Sequence, residues 1–343
     1  MKPYSFVDGS EPGAQGVRDL ALRALELRGG AKSERFPDQR LIGVFLNPSL
    51  RTRTSLECAV YDLGMHPILL SPGADAWKME HRPGVVMDGD CPEHLADAIP
   101  VLAEYGDVLA VRAFAGLRDA EEDRSDPVLA AFLKYSPIPV INLESALWHP
   151  LQGLADAATW VSHLGEDLRG TPITLTWAPH PKALPAAVPN QVALTAALMG
   201  ANLTIAHPEG FDLDPLILNR CANVATENGG SVRVVHDQRE GIRGARVVVA
   251  KSWSGFSGYG RRDEEAEHRA RLGDWTVTAS QMKMSENAGF MHCLPVRRNV
   301  VVADEVIDGP NSWTTETAGL RRWTAMALLE RMLAARGENP WNA

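Results

Sequence analysis

Asn47-Pro48-Ser49-Leu50-Arg51-Thr52-Arg53-Thr54-Ser55 is the stretch from which the fold of this chain is read. An apolar run, Leu41 to Leu46, precedes it with the composition of a buried parallel strand. Leu56, Val60 and Leu63 follow at the spacing of a helix's inward face, and Gly64 marks its end. The pattern predicts a strand over 41–46 running into a helix over 52–63. Backbone N–H groups at a helix N-terminus have no intrahelical acceptor and carry the positive end of the dipole. Arg51 and the Ser/Thr hydroxyls add the charge-assisted donors that suit a phosphate. The bland alternative is a capped helix with solvated arginines, and it loses ground as further pieces join.

Outward from this stretch the same alternation recurs. Strands are expected near 67–70, 107–112 and 139–143, with helices over 17–28 and 93–104. A helix over 151–164 leads into a second series of strands at 172–177, 202–206, 232–235, 246–250 and 289–292. Helices at 190–199 and about 214–227 intervene, and a last one covers 315–336. The expected class is α/β, with two domains, each a parallel β-sheet flanked by helices. The boundaries are 1–150 and 151–343, the last helix packing back on the first domain. Gly255-Phe256-Ser257-Gly258-Tyr259-Gly260 lacks the dinucleotide spacing and reads as a mobile loop.

With 343 residues, 45% hydrophobic and 22% charged, the chain has the composition of a globular protein. A net charge of −9 argues against bulk nucleic-acid binding, so any anion site must be a local basic pocket. No apolar run reaches membrane-spanning length, and Met1 to Ser10 lacks a secretion signal. Cys58, Cys91, Cys221 and Cys293 have neither metal-ligand nor disulfide spacing, which points to a reducing cytoplasm.

Ligands of open parallel sheets bind beyond the carboxyl ends of the strands. Ser49, Arg112, Glu144, His149, Lys251 and Cys293 all fall there. Singly, each has an ordinary reading: His149 as a cap, Cys293 as core, Arg297 as a solvated charge. His292 beside Cys293 suggests a metal or nucleophile pair, but neighbours in a strand point to opposite faces.

Together, Ser49-Leu50-Arg51-Thr52-Arg53, His149-Pro150-Leu151-Gln152 and His292-Cys293-Leu294-Pro295 resemble the motifs of the transcarbamylases, over nearly the whole chain. The resemblance implies a carbamoyltransferase using carbamoyl phosphate, without metal or cofactor, as a homotrimer with shared active sites. It implies donor-binding roles for Ser49, Leu50, Arg51, Thr52, Arg112, His149 and Gln152. Cys293 and Leu294 look like the pair whose backbone meets the carbamoyl group, and Trp77 like the residue reaching a neighbouring subunit's site. The family's C-terminal arginine falls at Arg321, or at Arg322 given a one-residue insertion. Chemically, Arg51, Arg112 and Arg321 suit growing phosphate charge, while Thr52, Arg112 and His149 suit an oxyanion.

Lys251-Ser252-Trp253 stands where ornithine enzymes of the family carry an aspartate ahead of Ser-Met-Gly. A cation there repels a free α-ammonium but suits an acylated α-nitrogen beside a free carboxylate. That pattern is similar to the subgroup acting on N-acylated ornithines. Lys251 and Arg297 then become the carboxylate partners and Glu144 a contact for the acceptor's nitrogens. Enzymes acting on N-acetylornithine carry glutamate at Pro92 and lysine at Val301; those acting on N-succinylornithine carry the proline. His180 and Lys182 are candidates to meet a succinyl carboxylate, and Pro92 also reads as a helix-start proline. The resemblance thus implies N-succinyl-L-ornithine as acceptor in arginine biosynthesis, with N-acetylornithine as the near alternative. A non-catalytic anion-binding protein on the same fold is the distant one.

Overall fold

The computed structural model describes residues 4–335 and 338–341. The chain divides into two compact units: one of residues up to Gly116, Glu121–Leu151 and the chain from Arg321 on, the other of Leu117–Ala120 and Gln152–Leu320.

The first unit begins with α1 (Gly13–Arg28), β1 (Arg40–Phe45), α2 (Arg51–Asp62) and β2 (His66–Leu70). Two short strands follow, β3 (Met79–Glu80) and β4 (Glu93–His94), then α3 (Leu95–Tyr105) and β5 (Val108–Arg112). Helices α4 (Ala120–Ser125) and α5 (Pro127–Tyr135) lead to β6 (Val140–Glu144). The sheet runs β2-β1-β5-β6, all parallel. Strands β5 and β6 are buried along their whole length, as a sheet covered on both faces requires. Ile42, Val44, Leu109, Val111 and Val140 pack with Leu95, Ile99, Leu129 and Phe132 in one apolar cluster.

Helix α6 (Pro150–Leu164) opens the second unit, followed by β7 (Pro172–Trp177), α7 (Ala187–Leu198), β8 (Asn202–Ala206) and α8 (Pro215–Glu227). Then come β9 (Ser231–Val235), α9 (Gln238–Ile242), β10 (Val247–Lys251), α10 (Arg262–Arg269) and α11 (Ala279–Met282). The series ends with β11 (Gly289–Met291), α12 (Asp304–Ile307) and α13 (Thr314–Ala334), whose part from Arg321 on belongs to the first unit. Its sheet is also all parallel, in the order β11-β10-β7-β8-β9. Helix α7 is buried on every side, which its Ala- and Val-rich sequence permits and an amphipathic pattern would not.

Three local expectations change. The helix expected from Glu93 starts at Leu95, with His94 as its N-cap accepting from Ala96 N at 2.9 Å. Pro92 therefore lies outside that helix and is not its first residue; the pairing of β4 with β3 takes Glu93 and His94 instead. The glycine-rich 255–260 segment folds into a 3-10 turn, and the charged stretch behind it forms α10 rather than continuing the loop. Arg262 and Arg269 of α10 both pair with buried Glu265, one turn apart, which offsets the charge the sequence places there. Residue 336, the expected end of the last helix, lies outside the described residues.

Gly153 on α6 faces Gln191 and Thr195 of α7. A methyl at Gly153 would lie 2.5 Å from Thr195 Oγ1 and 2.8 Å from Gln191 Nε2, both on buried, well-packed side chains. Gly153→Ala should destabilise the second unit by about 1–3 kcal/mol through overpacking, seen as a lower urea midpoint in tryptophan fluorescence.

Candidate active site

In the first unit four elements bring side chains to one place. Thr52 is on the first turn of α2, where its amide donates to Ser49 Oγ at 3.1 Å. Arg112 is the last residue of β5 and Glu144 the last of β6. His149 follows a turn after β6, and Arg321 comes from α13. Thr52, Arg112, Glu144, His149 and Arg321 are all buried.

Thr52 Oγ1 accepts from Arg112 Nη1 at 3.3 Å and from Arg321 Nη2 at 2.7 Å. A hydroxyl has two lone pairs and one proton. With both lone pairs taken, the O–H is left as a donor aimed away from the two arginines. Arg112 Nη1 also donates to Glu144, whose Oε2 lies 3.4 Å from His149 Nε2. One carboxylate thus orients both the guanidinium and the imidazole. Arg112 Nε is buried with no hydrogen-bond partner, and the guanidinium lies 4.5 Å from the Phe114 ring. A dense set of donors gathered around one hydroxyl is chemistry for an anion whose charge grows during reaction.

The neighbouring arginines divide sharply. Arg53 is structural, donating to Ser71 Oγ at 2.6 Å and to the Leu69 carbonyl at 3.0 Å. Arg322 pairs with Asp62 and stacks on Trp323, while Arg321 reaches Thr52. Arg51 is half-buried and Leu50 is 75% exposed at the start of α2. Trp77 is 61% exposed, its indole N–H donating to Glu93, and Pro92, which precedes Glu93, is exposed.

The second unit holds its own set. Gln152 on α6 is buried, donating to Asp156 at 2.9 Å while its carbonyl oxygen has no hydrogen-bond partner. Lys251 ends β10, and Ser252 Oγ behind it donates to the Pro179 carbonyl at 3.1 Å. The Trp253 indole donates to the Phe211 carbonyl at 2.7 Å, so the strand end is fixed by buried bonds. Arg297 Nε donates to His180 Nε2 at 3.1 Å, and His180 Nδ1 lies 3.0 Å from the Lys182 carbonyl. Burial, and repulsion from Arg297, Lys251 and Arg269, holds the His180 pKa below the ordinary imidazole value. The positive group at this position is therefore Arg297, with a neutral His180 bracing it and Lys182 contributing main chain.

Cys293 and Leu294 follow β11, with Leu294 at φ 55° before a cis Leu294–Pro295 bond. His292 Nδ1 accepts from Leu294 N at 2.8 Å, which fixes the turn that follows the strand. Among the described residues no group of three or more His, Cys, Asp or Glu side chains has the arrangement to hold a metal ion. Arg298 is braced by Asp304 and Asp308, and Val301 is a core residue packed with Val277, Val302 and Phe290.

Sequence reasoning passed over Asp126, Asn142 and Ser145, the polar residues beneath the turn that carries His149. Asp126 before Pro127 carries a helix-start signal, but nothing in the sequence links it to a strand end.

Comparison with known proteins places the chain in a family. Residues 6–162 match the carbamoyl-P binding domain of aspartate/ornithine carbamoyltransferases, and residues 186–332 match their Asp/Orn binding domain. An N-acetylornithine carbamoyltransferase of Xanthomonas axonopodis pv. citri is 42% identical over 296 residues, 86% of each chain. An N-succinylornithine carbamoyltransferase of Bacteroides fragilis is 40% identical over 296 residues, 86% of this chain and 88% of its own. Among solved structures, an N-acetyl-L-ornithine transcarbamylase with a glutamate-to-proline substitution, complexed with carbamyl phosphate and N-succinyl-L-norvaline, superposes with a TM-score of 0.93. It is 38% identical and covers 96% of this chain and 99% of its own. The chain belongs to the aspartate/ornithine carbamoyltransferase family and is a carbamoyltransferase.

Proposed function

We propose that the protein transfers the carbamoyl group of carbamoyl phosphate to the terminal amine of N-succinyl-L-ornithine, giving N-succinyl-L-citrulline and phosphate. Support for the donor comes from the first unit, where Arg112 and Arg321 meet on Thr52 beside Glu144 and His149. Support for the acceptor comes from Pro92: it is exposed and outside α3, so helix initiation does not account for it. The related N-acetyl-L-ornithine enzyme that carries proline for glutamate is complexed with a succinylated norvaline. Its wild-type chemistry keeps N-acetylornithine as the second reading, favoured by the 42% identity of the Xanthomonas enzyme.

In this reading Ser49, Leu50, Arg51, Arg112, Gln152 and Arg321 bind the phosphate and carbamoyl portions of the donor. The acceptor's nitrogen lone pair forms the new N–C bond, the C–O bond to phosphate breaks, and the departing phosphate takes up one proton from the attacking nitrogen. Thr52 O–H, Arg112 and His149 donate to the carbamoyl oxygen as it gains charge. Cys293 and Leu294 meet the carbamoyl group through their backbone. Lys251 and the Arg297–His180 pair take the acceptor's carboxylate, and Glu144 meets its nitrogen atoms after giving up part of its hold on Arg112. The exposed Trp77, Val86 and Met87 favour a homotrimer in which this segment serves a neighbour's site. Among the described residues no helix is long and apolar enough to cross a membrane; the cytoplasm is the proposed compartment.

Replacing Arg112 with alanine should lower kcat by about a hundredfold or more, as for other oxyanion donors, with the circular dichroism spectrum unchanged. Near-wild-type kcat at saturating carbamoyl phosphate would remove Arg112 from the chemistry.

A lysine-like amine with a pKa of about 10.4 is roughly one part in a thousand neutral near pH 7.4. Turnover should therefore climb from pH 6 towards about pH 8 and beyond. A flat profile, with chemistry shown to limit the rate, would exclude attack by the free amine.

Acceptor choice is tested by kcat/KM for ornithine, N-acetylornithine and N-succinylornithine in parallel, in wild type and in Pro92→Glu. Two carboxylates about 4 Å apart repel by about 4 kcal/mol at an effective dielectric near 20. Solvent screening brings the expected loss for succinylornithine to about ten- to a hundredfold. An unchanged ratio between the acylated acceptors would remove Pro92 as the determinant.

A further inference from the structure

Asp126 sits just before α5, which begins with Pro127, and its backbone is left-handed at φ 45°. Its side chain is 8% exposed and lines a cavity of about 140 Å³ with His81, Phe114, Glu122 and Asp123. The carboxylate is hydrogen-bonded to Ser145 and to the backbone amides of Ala146 and Leu147. Its Oδ2 is buried with no hydrogen-bond partner. Ser145, Ala146 and Leu147 belong to the turn, Ser145 to Trp148, between Glu144 and His149.

The turn has further fastenings. Ser145 N donates to the Trp148 carbonyl at 2.8 Å, and Asn142 Nδ2 reaches Ser145 Oγ at 3.1 Å and the Val7 carbonyl at 2.8 Å. Ala113 N donates to the Glu144 carbonyl at 2.8 Å. Asp126 is the charged group in this set. The titratable groups facing it are Asp123 and Glu122 from α4 and His81 from the segment after β3; Glu144, His149 and Arg112 lie at the ends of the turn and of β5.

We infer that ionised Asp126 is a positioning residue for carbamoyl transfer: its carboxylate fixes the Ser145–Trp148 turn and so sets Glu144 and His149, and proton uptake loosens the turn and slows transfer. The inference rests on the roles given above to Glu144 and His149. Charge-assisted hydrogen bonds are roughly twice as strong as neutral ones, so protonation weakens three contacts on one turn at once. Burial, reinforced by Asp123, pushes the Asp126 pKa up to about 6, against the bonds from the turn, which lower it. The unfilled oxygen at a cavity edge gives the incoming proton a place to reside.

Asp126→Asn tests this directly. Asparagine tolerates the left-handed backbone and keeps an acceptor oxygen, but carries no charge. The readout is the ratio of wild-type to variant kcat/KM across pH, in which the titrations of both substrates cancel. We expect a ratio of about five on the alkaline side, falling towards one as pH drops through about 6. A constant ratio, or full activity of the variant on the alkaline side, overturns the inference. Ser145→Ala, which keeps the carboxylate but removes a donor that lowers its pKa, should move the wild-type fall to higher pH; an unmoved midpoint also overturns it. His149→Ala run alongside separates the two claims, since wild-type turnover there sinks the role of His149 whatever the ratio shows.

Discussion

The first unit is organised around a threonine hydroxyl that accepts from two arginines of distant sequence, Arg112 on β5 and Arg321 on α13. Bringing two guanidinium groups together in a buried place is unfavourable unless negative groups or oriented dipoles offset it. Glu144 does part of this as Arg112's partner, and Thr52 does part as a shared acceptor. The remaining positive field is what a phosphate would neutralise. Removing Arg112 would leave Glu144 buried with only His149 beside it, so the cluster is interdependent. In the proposed reading, stability and anion affinity draw here on the same few groups.

This accounts for a positive site on a chain with a net charge of −9. The field is built from a few buried side chains at strand ends, not from a basic surface, so the Coulomb terms act at lower effective dielectric than bulk water. A parallel sheet makes this possible. Every strand ends on the same side, so Arg112 and Glu144, adjacent in register across β5 and β6, arrive at one level without any loop having to place them.

The strand–helix alternation was legible because buried parallel strands are short apolar runs bounded by helix-start signals. Strand and helix limits accordingly fell within a few residues of those observed. What was not legible depended on contacts between distant segments. Pro92 reads locally as a helix start, but pairing of β3 with β4 withdraws Glu93 and His94 from the helix. The charged 261–271 stretch lacks an apolar face, and only the buried Glu265 between two arginines shows why it is helical. Among the candidate residues, Arg112, Glu144 and Lys251 stood out because they terminate apolar runs. Whether Arg321 or its neighbour reaches Thr52 required the rotation of α13. Asp126 carried no signal at all beyond its proline, because its partners lie about one helix and one strand further along the chain.

In the proposed reading the Arg297–His180 pair bears on acceptor selection in a way that charge counting alone does not. An arginine presents five donors in a planar fork, and here His180 takes the Nε donor. The two terminal nitrogens are left for a ligand, the geometry suited to one carboxylate held end-on by two parallel bonds. A neutral His180 is what makes this possible: an imidazolium would have no lone pair for Nε and would repel the guanidinium. The lowered pKa of His180 is thus consistent with its position among Arg297, Lys251 and Arg269, whose positive charges favour the neutral ring. In the proposed reading Arg297 and Lys251 disfavour an acceptor bearing a free α-ammonium, because the repulsion grows as water leaves. Acylation removes that charge from the α-nitrogen while leaving the carboxylate for the arginine fork. In the proposed reading a succinyl group brings a second carboxylate, and a proline at position 92 adds no charge to repel it where a glutamate would.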